Sequence, residues 1–231
     1  QDGVLYAVNW RQHRLLWQHQ GTASLSTAPE IFTLDAQPPA TAERSPVAAR
    51  KVVVCGDDDG AVYALDLATG ATVWNVMLGG PIGSGLAASV GDEKLLAPYM
   101  PGPSNGGGLV CLSAKTGQTL WKFPATARDF GGCLCPPAWP HYPAGRLLAA
   151  FFASDDGWVY RFDAGGQTQW KSRIEGIQRR QGAVTLRGRT ALFDNLGLLL
   201  VGGEDGAWRA LDVKSGQIKW VFDAGGPCRL R

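Results

Sequence analysis

The chain has 231 residues and a net charge of +2; 45% of it is hydrophobic and 18% charged, with 31 glycines and 14 prolines. That balance excludes a disordered chain and supplies no basic footprint for nucleic acid or an anionic membrane. The longest apolar runs, such as 147–153 and 196–201, are strand-length, well short of the roughly 18 residues of a spanning helix.

Five tryptophans punctuate the chain: Trp17, Trp74, Trp121, Trp170 and Trp220, at intervals of 57, 47, 49 and 50 residues. Such a period marks one supersecondary unit copied along the sequence. The first copy, residues 2–17, opens D-G-V-L-Y-A-V-N and carries His13 where later copies have a turn glycine. The second, residues 59–74, is the fullest: D-G-A-V-Y-A-L-D-L-A-T-G-A-T-V-W. The third (106–121) and fifth (205–220) keep the phrase, and the fourth (156–170) is one residue shorter.

Each part of the phrase has a physical job. Asp-Gly before an apolar run is a hairpin signal, because glycine accepts positive φ. The V-Y-A-L-D segment is rich in β-branched, aromatic and aliphatic residues, and so reads as a strand. Asp66 and Asp212 open a second turn, where a carboxylate accepts backbone N–H bonds. Gly70, Gly117 and Gly216 close it at a position that favours φ > 0. A last short strand ends in the tryptophan.

Two more strands are predicted between each tryptophan and the next Asp-Gly: about 84–89 and 94–98, then 133–138 and 146–153, then 183–186 and 196–201. No amphipathic helix is predicted. Four short antiparallel strands repeated radially describe an all-β fold, a β-propeller. A periodic indole suits the wedge between neighbouring sheets, where it buries ~150–250 Å² and offers one N–H donor.

The phrase D-G-x-V-Y-A-L-D-x-x-T-G-x-x-x-W resembles the repeat of the PQQ-like β-propellers, the quinoprotein alcohol dehydrogenase-like family. The resemblance runs through essentially the whole chain, so residues 1–231 read as a single propeller domain or a segment of one. It implies that Trp17, Trp74, Trp121, Trp170 and Trp220 are docking residues that pack one blade against the next. Trp-Asp dipeptides, the mark of WD-repeat propellers, are absent from the sequence. Counted from the tryptophans, the chain starts just before the third strand of a blade and stops where a new first strand would begin. The expectation is about four full blades with a leading hairpin and a trailing stub, part of a larger protein. The alternative is a small ring in which hairpin and stub share one blade.

Candidate chemistry is sparse. The resemblance implies that a quinoprotein dehydrogenase would hold pyrroloquinoline quinone and Ca²⁺ with carboxylate and amide oxygens, often beside a disulfide of adjacent cysteines. None of the five cysteines here is adjacent to another. Cys133 and Cys135, with His141, form C-x-C-x₅-H near an inner strand, a speculative redox or channel-facing pair; the spacing lacks the C-x₂-C of structural zinc. Cys55 and Cys111 read as buried hydrophobes. Asn195 is the best single calcium-ligand candidate, although an exposed Asp-Asn turn accounts for it. Asp57-Asp58-Asp59, Asp155-Asp156 and Glu204-Asp205 precede blade glycines, do not match a calcium loop, and are expected to form a negative rim. Arg173, Arg179, Arg180, Arg187 and Arg189 make a local basic stretch suited to an exposed connection or an acidic partner.

The expected function is a non-catalytic scaffold that binds a protein or ligand, with a protein partner or attached domain and no cofactor, catalytic residue or metal site. One alternative is a portion of a PQQ- and calcium-dependent dehydrogenase. Another is a C-terminal propeller appended to an adenylate-forming enzyme. Cysteine usage leans toward a cytoplasmic setting, and a removed leader would place the chain in the periplasm or outside the cell.

Overall fold

The computed structural model describes residues 3–25, 27–34, 49–89, 93–100, 106–123, 149–154, 156–177, 182, 184–186 and 190–228. These residues form five antiparallel sheets in chain order, each a simple meander. Sheet 1 is the hairpin β1 (Val4–Asn9) and β2 (Arg14–Gln20). Sheet 2 contains β3 (Glu30–Leu34), β4 (Arg50–Gly56), β5 (Ala61–Asp66) and β6 (Thr72–Met77). Sheet 3 contains β7 (Ala87–Ser89), β8 (Lys94–Tyr99), β9 (Gly108–Ser113) and β10 (Thr119–Phe123). Sheet 4 shows β11 (Ala150–Ala153), β12 (Trp158–Phe162) and β13 (Thr168–Arg173). Sheet 5 contains β14 (Ala191–Phe193), β15 (Leu198–Gly202), β16 (Ala207–Asp212) and β17 (Ile218–Asp223).

This is the propeller architecture expected from the repeat. One placement differs in detail. The apolar stretch at 183–186 is not the first strand of the last sheet: Leu186 makes only an isolated bridge to Gly203, and β14 begins at Ala191. The predicted strand at 133–138 lies outside the described residues. The only helical turn among the described residues is the short Asp194–Leu196 segment, where Asn195 is exposed.

The middle strands of sheets 2 and 3 read V-V-V-C-G and G-L-V-C-L-S rather than alternating, because both faces of these two sheets are covered. Alternate residues therefore serve two different junctions. In sheet 2, Val52, Val54, Val62, Ala64 and Trp74 pack against Leu95, Ala97, Tyr99, Val110 and Leu112 of sheet 3. The intervening Val53, Cys55, Tyr63 and Leu65 face Leu5 and Trp17 of sheet 1. A second large cluster joins sheets 3, 4 and 5 through Leu109, Phe151, Phe162, Leu199 and Leu211. β3 and β7 lie in contact, so the first strands of neighbouring blades meet on the inner side of the arc.

The second turn of each repeat forms as its chemistry dictates. Asp66 Oδ1 accepts the N–H groups of Ala68 and Thr69 at 3.0 Å each, and Asp212 Oδ1 does the same for Lys214 and Ser215. In sheet 1, Asn9 takes the aspartate's place and bonds Arg11 and Gln12, while His13 adopts φ +50°. The turn survives there without glycine.

Candidate functional site

The junctions between sheets hold most of the distinctive side chains. Four indoles repeat one arrangement. Trp17 donates its Nε1–H to Leu67 O at 3.0 Å, Trp74 to Ala114 O at 2.8 Å, Trp121 to Ala164 O at 3.2 Å and Trp170 to Val213 O at 3.1 Å. Each acceptor belongs to the turn of the following sheet. Each ring lies over that turn's glycine: Gly70, Gly117, Gly166 and Gly216, all at positive φ. A Cβ built on any of them would lie 2.5–2.7 Å from the indole, closer than packed atoms tolerate. The glycines are thus required twice, by backbone conformation and by the ring above them.

Gly117→Ala separates these two requirements when compared with Gly225→Ala. Gly225 also has positive φ (+80°) but nothing within 4 Å of its would-be Cβ. Gly225→Ala is expected to cost about 1 kcal/mol of backbone strain. Gly117→Ala should cost about 1–3 kcal/mol more from overpacking, read as the difference in urea-unfolding free energies.

Trp220 keeps the register of the other four, pairing with Ala210 as Trp74 pairs with Ala64. It is 43% exposed, whereas Trp74 is 8% exposed. With Leu200, Trp208, Val221 and Phe222 it lines an apolar groove of ≈ 560 Å³ on the outer side of sheet 5.

Two buried polar links reinforce the junctions, and the sequence disguised both as an acidic rim. Asp57 is fully enclosed. Its carboxylate accepts bonds from Thr22 Oγ1 (2.7 Å), Tyr63 Oη (2.9 Å), Ala61 N (2.8 Å) and Asp59 N (3.1 Å), tying the exit of sheet 1 to sheet 2. Burial pushes this carboxyl up, but the bonds from Thr22, Ala61, Tyr63 and Ala23 outweigh it and leave the group below the usual carboxylate range.

Asp205 does the same work at the junction of sheets 4 and 5 through a different partner. Arg209, 1% exposed, occupies the strand position that Tyr63 holds in sheet 2. Its guanidinium forks onto both Asp205 oxygens and donates to Glu175 O at 2.9 Å and Ala207 O at 3.1 Å. Asp205 also accepts from Ile177 N at 3.2 Å. Burial raises its carboxyl, and Arg209 and the backbone donors hold it below the usual range. Of the predicted rim, Asp58 and Asp59 are exposed while Asp57 and Asp205 are internal. One sequence signal pointed to the second link: an arginine inside A-W-R-A-L-D needs a partner if its face is buried.

Both carboxyls have folded values below the ordinary ~3.9, so their stabilisation is present above that pH and is lost as pH falls through the folded values. The urea midpoint is therefore expected to drop as pH falls below about 4. Asp57→Asn, though less stable at neutral pH, should show a shallower drop.

Cys55 and Cys111 are enclosed at the junctions, and burial pushes each thiol up to about 12, which keeps them protonated and unreactive. Cys133, Cys135 and His141 lie outside the described residues. Among the described residues no three His, Cys, Asp or Glu side chains come together as a metal set. The carboxylates of Asp57 and Asp205 are already occupied by protein donors, so neither suits Ca²⁺ or a quinone, and no chemical step is assigned through those groups. Of the basic stretch, Arg173 is described; its guanidinium lies 5.6 Å over Trp158, beside Lys171 at 4.9 Å.

The four-stranded meanders, the indole-on-glycine junctions and the repeat phrase define a PQQ-like β-propeller. The chain belongs to the family whose model is described as outer membrane protein assembly factor BamB, matched over residues 1–83 and again over 58–222. Polyvinylalcohol dehydrogenase from Sphingopyxis sp. (strain 113P3) is 26% identical over 142 residues, 55% of this chain and 20% of that relative. BamB from Moraxella catarrhalis superposes with a TM-score of 0.63 at 19% identity, covering 95% of this chain and 55% of that one. Saccharomyces cerevisiae Sqt1 superposes with a TM-score of 0.70 at 13% identity, covering 98% and 57%. The computationally designed Ika8 protein gives 0.66 at 19% identity, covering 99% and 59%. These structural likenesses show the fold. The chain spans about a fifth of the dehydrogenase and a little over half of each solved chain. No described helix is long and apolar enough to cross a membrane.

Proposed function

We propose that this chain is a protein-binding propeller scaffold. The observation that carries the reading is where its polar and nucleophilic side chains lie. Asp57, Asp205, Arg209, Cys55 and Cys111 are enclosed at blade junctions, and the carboxylates and guanidinium direct their bonds across them. They hold the arc together and leave recognition to the turns and rims, as in other repeat surfaces. The family match to an outer-membrane assembly factor supports a role in assembling other proteins. The test places a photo-crosslinker at Asp58 in the Asp-Gly turns and, separately, at Arg11 in the opposite turns, within the producing cell. The expected result is one discrete protein adduct from one rim. Adducts from neither rim, with quinone-dependent turnover in its place, would overturn the reading.

A second reading, a portion of a PQQ- and calcium-dependent dehydrogenase, is favoured by the likeness to polyvinylalcohol dehydrogenase. Titrating the intact protein with PQQ and Ca²⁺, while following quinone absorbance and dye-linked oxidation of polyvinyl alcohol, separates the two. Saturable binding with turnover supports the second; no binding supports the scaffold.

A further inference from the structure

We propose that the outer edge of β13 binds an extended, acidic segment of a partner protein, its alternate carboxylates seated on Lys171 and Arg173 beside Trp158. The proposal rests on the scaffold reading and adds to it the surface used and the chemistry of the partner.

The surface is particular to one sheet. The third strand of each repeat opens on Val4, Ala61, Gly108 and Ala207 in sheets 1, 2, 3 and 5, but on Trp158 in sheet 4. Across the ladder Trp158 pairs with Arg173 and Tyr160 with Lys171, which puts the indole and both cations on one face. Lys171 Nζ lies 4.9 Å and the Arg173 guanidinium 5.6 Å from the centre of the Trp158 ring. The indole is half-buried against the core of sheets 3 to 5, while both cations are exposed. A fixed ring holds the two long side chains in place, so they lose less freedom on meeting a ligand.

The same two positions after the other tryptophans hold Gln18 and Gln20, Asn75 and Met77, Lys122 and Pro124, and Val221 and Asp223. β13 alone carries a cation at both. Among the described residues neither cation is ion-paired with a carboxylate. Asp156, beside them, accepts the Trp158 backbone N–H at 3.2 Å. Residues 171–189 contain six Lys or Arg and one carboxylate, Glu175, in a chain whose net charge is only +2. Charge of one sign so concentrated favours an acidic partner.

The edge itself selects an extended peptide. β13 is the outermost strand of sheet 4 among the described residues, so its outward N–H and C=O groups are free to pair with an added strand. Lys171 and Arg173 stand two residues apart on one face, and side chains of an added strand repeat with the same period. A segment with carboxylates at alternate positions therefore meets both cations at once. A phosphodiester chain could neutralise the charges but has no backbone amides for the strand edge.

The test titrates the full chain with a peptide of alternating Glu and Thr, followed by NMR. Expected are shifts along β13, slowed exchange of its outward amides, and weaker binding at higher salt. The exposed double variant Lys171→Gln/Arg173→Gln should weaken binding about tenfold. Trp158→Ala, which keeps both charges, should weaken it about threefold by freeing the two side chains. Unchanged β13 signals at millimolar peptide overturn the proposal. So does equal binding of a peptide of the same composition with its glutamates contiguous, or tighter binding of an RNA oligonucleotide to the same residues. Crosslinking from the turns checks the scaffold reading separately: adducts there, without peptide at β13, overturn this proposal alone.

Discussion

Trp74→Ala should destabilise the chain by about 3–5 kcal/mol, the range for removing a buried large aromatic. The indole is 8% exposed, fills the wedge between sheets 2 and 3, and satisfies Ala114 O. Its removal leaves both a cavity and an unpaired buried carbonyl. Trp220→Ala, at the same register on the open face, should cost clearly less, about 1–3 kcal/mol, because the indole is already 43% exposed and its removal leaves no enclosed cavity. Urea unfolding followed by circular dichroism measures both. Hydrogen exchange should centre the Trp74→Ala loss on sheets 2 and 3, since each sheet contacts only its neighbours. Equal losses for the two variants would show that the indoles act within their own blades and not between them.

Arg209→Leu is expected to cost about 3–5 kcal/mol, because it strands the Asp205 carboxylate in an enclosed site. The Glu175 and Ala207 carbonyls lose their guanidinium donor as well. Adding Asp205→Ala should recover most of that loss, since a buried ion pair replaced by apolar groups is often near neutral. The comparison of single and double variants isolates the coupling, and differential scanning calorimetry reads it. A double variant no more stable than Arg209→Leu would mean that the guanidinium matters for its carbonyl bonds and not for its charge. Sheet 2 shows the neutral solution to the same problem, with Tyr63 bonding Asp57.

Much of the fold was legible because each repeat states its own local rules. Asp-Gly before an apolar run, an aspartate opening the second turn and a glycine closing it each carry a backbone requirement that neighbours in sequence satisfy. The failure at 183–186 has the opposite cause. Val184 and Leu186 are apolar because they pack in the cluster of sheets 3 to 5, not because they lie in a full strand. Burial and strand pairing look alike in a short apolar run. The acidic positions were misread for a similar reason. An aspartate beside a turn is solvated by default, and only the arrival of Thr22 or Arg209 from elsewhere makes it internal.

The sequence by itself determined the repeat, the all-β blades and the register of the five tryptophans, because period, turn chemistry and strand propensity act over a few residues. Tertiary structure alone decided which of those tryptophans are covered, which carboxylates are enclosed, and that Arg209 replaces Tyr63 at an equivalent junction. Those outcomes depend on contacts between residues some 30–50 positions apart, such as Thr22 with Asp57 and Trp17 with Leu67. No local pattern encodes whether a facing sheet is present. That presence separates Trp74, sealed between two blades, from Trp220, which offers the same ring and the same donor on an open face.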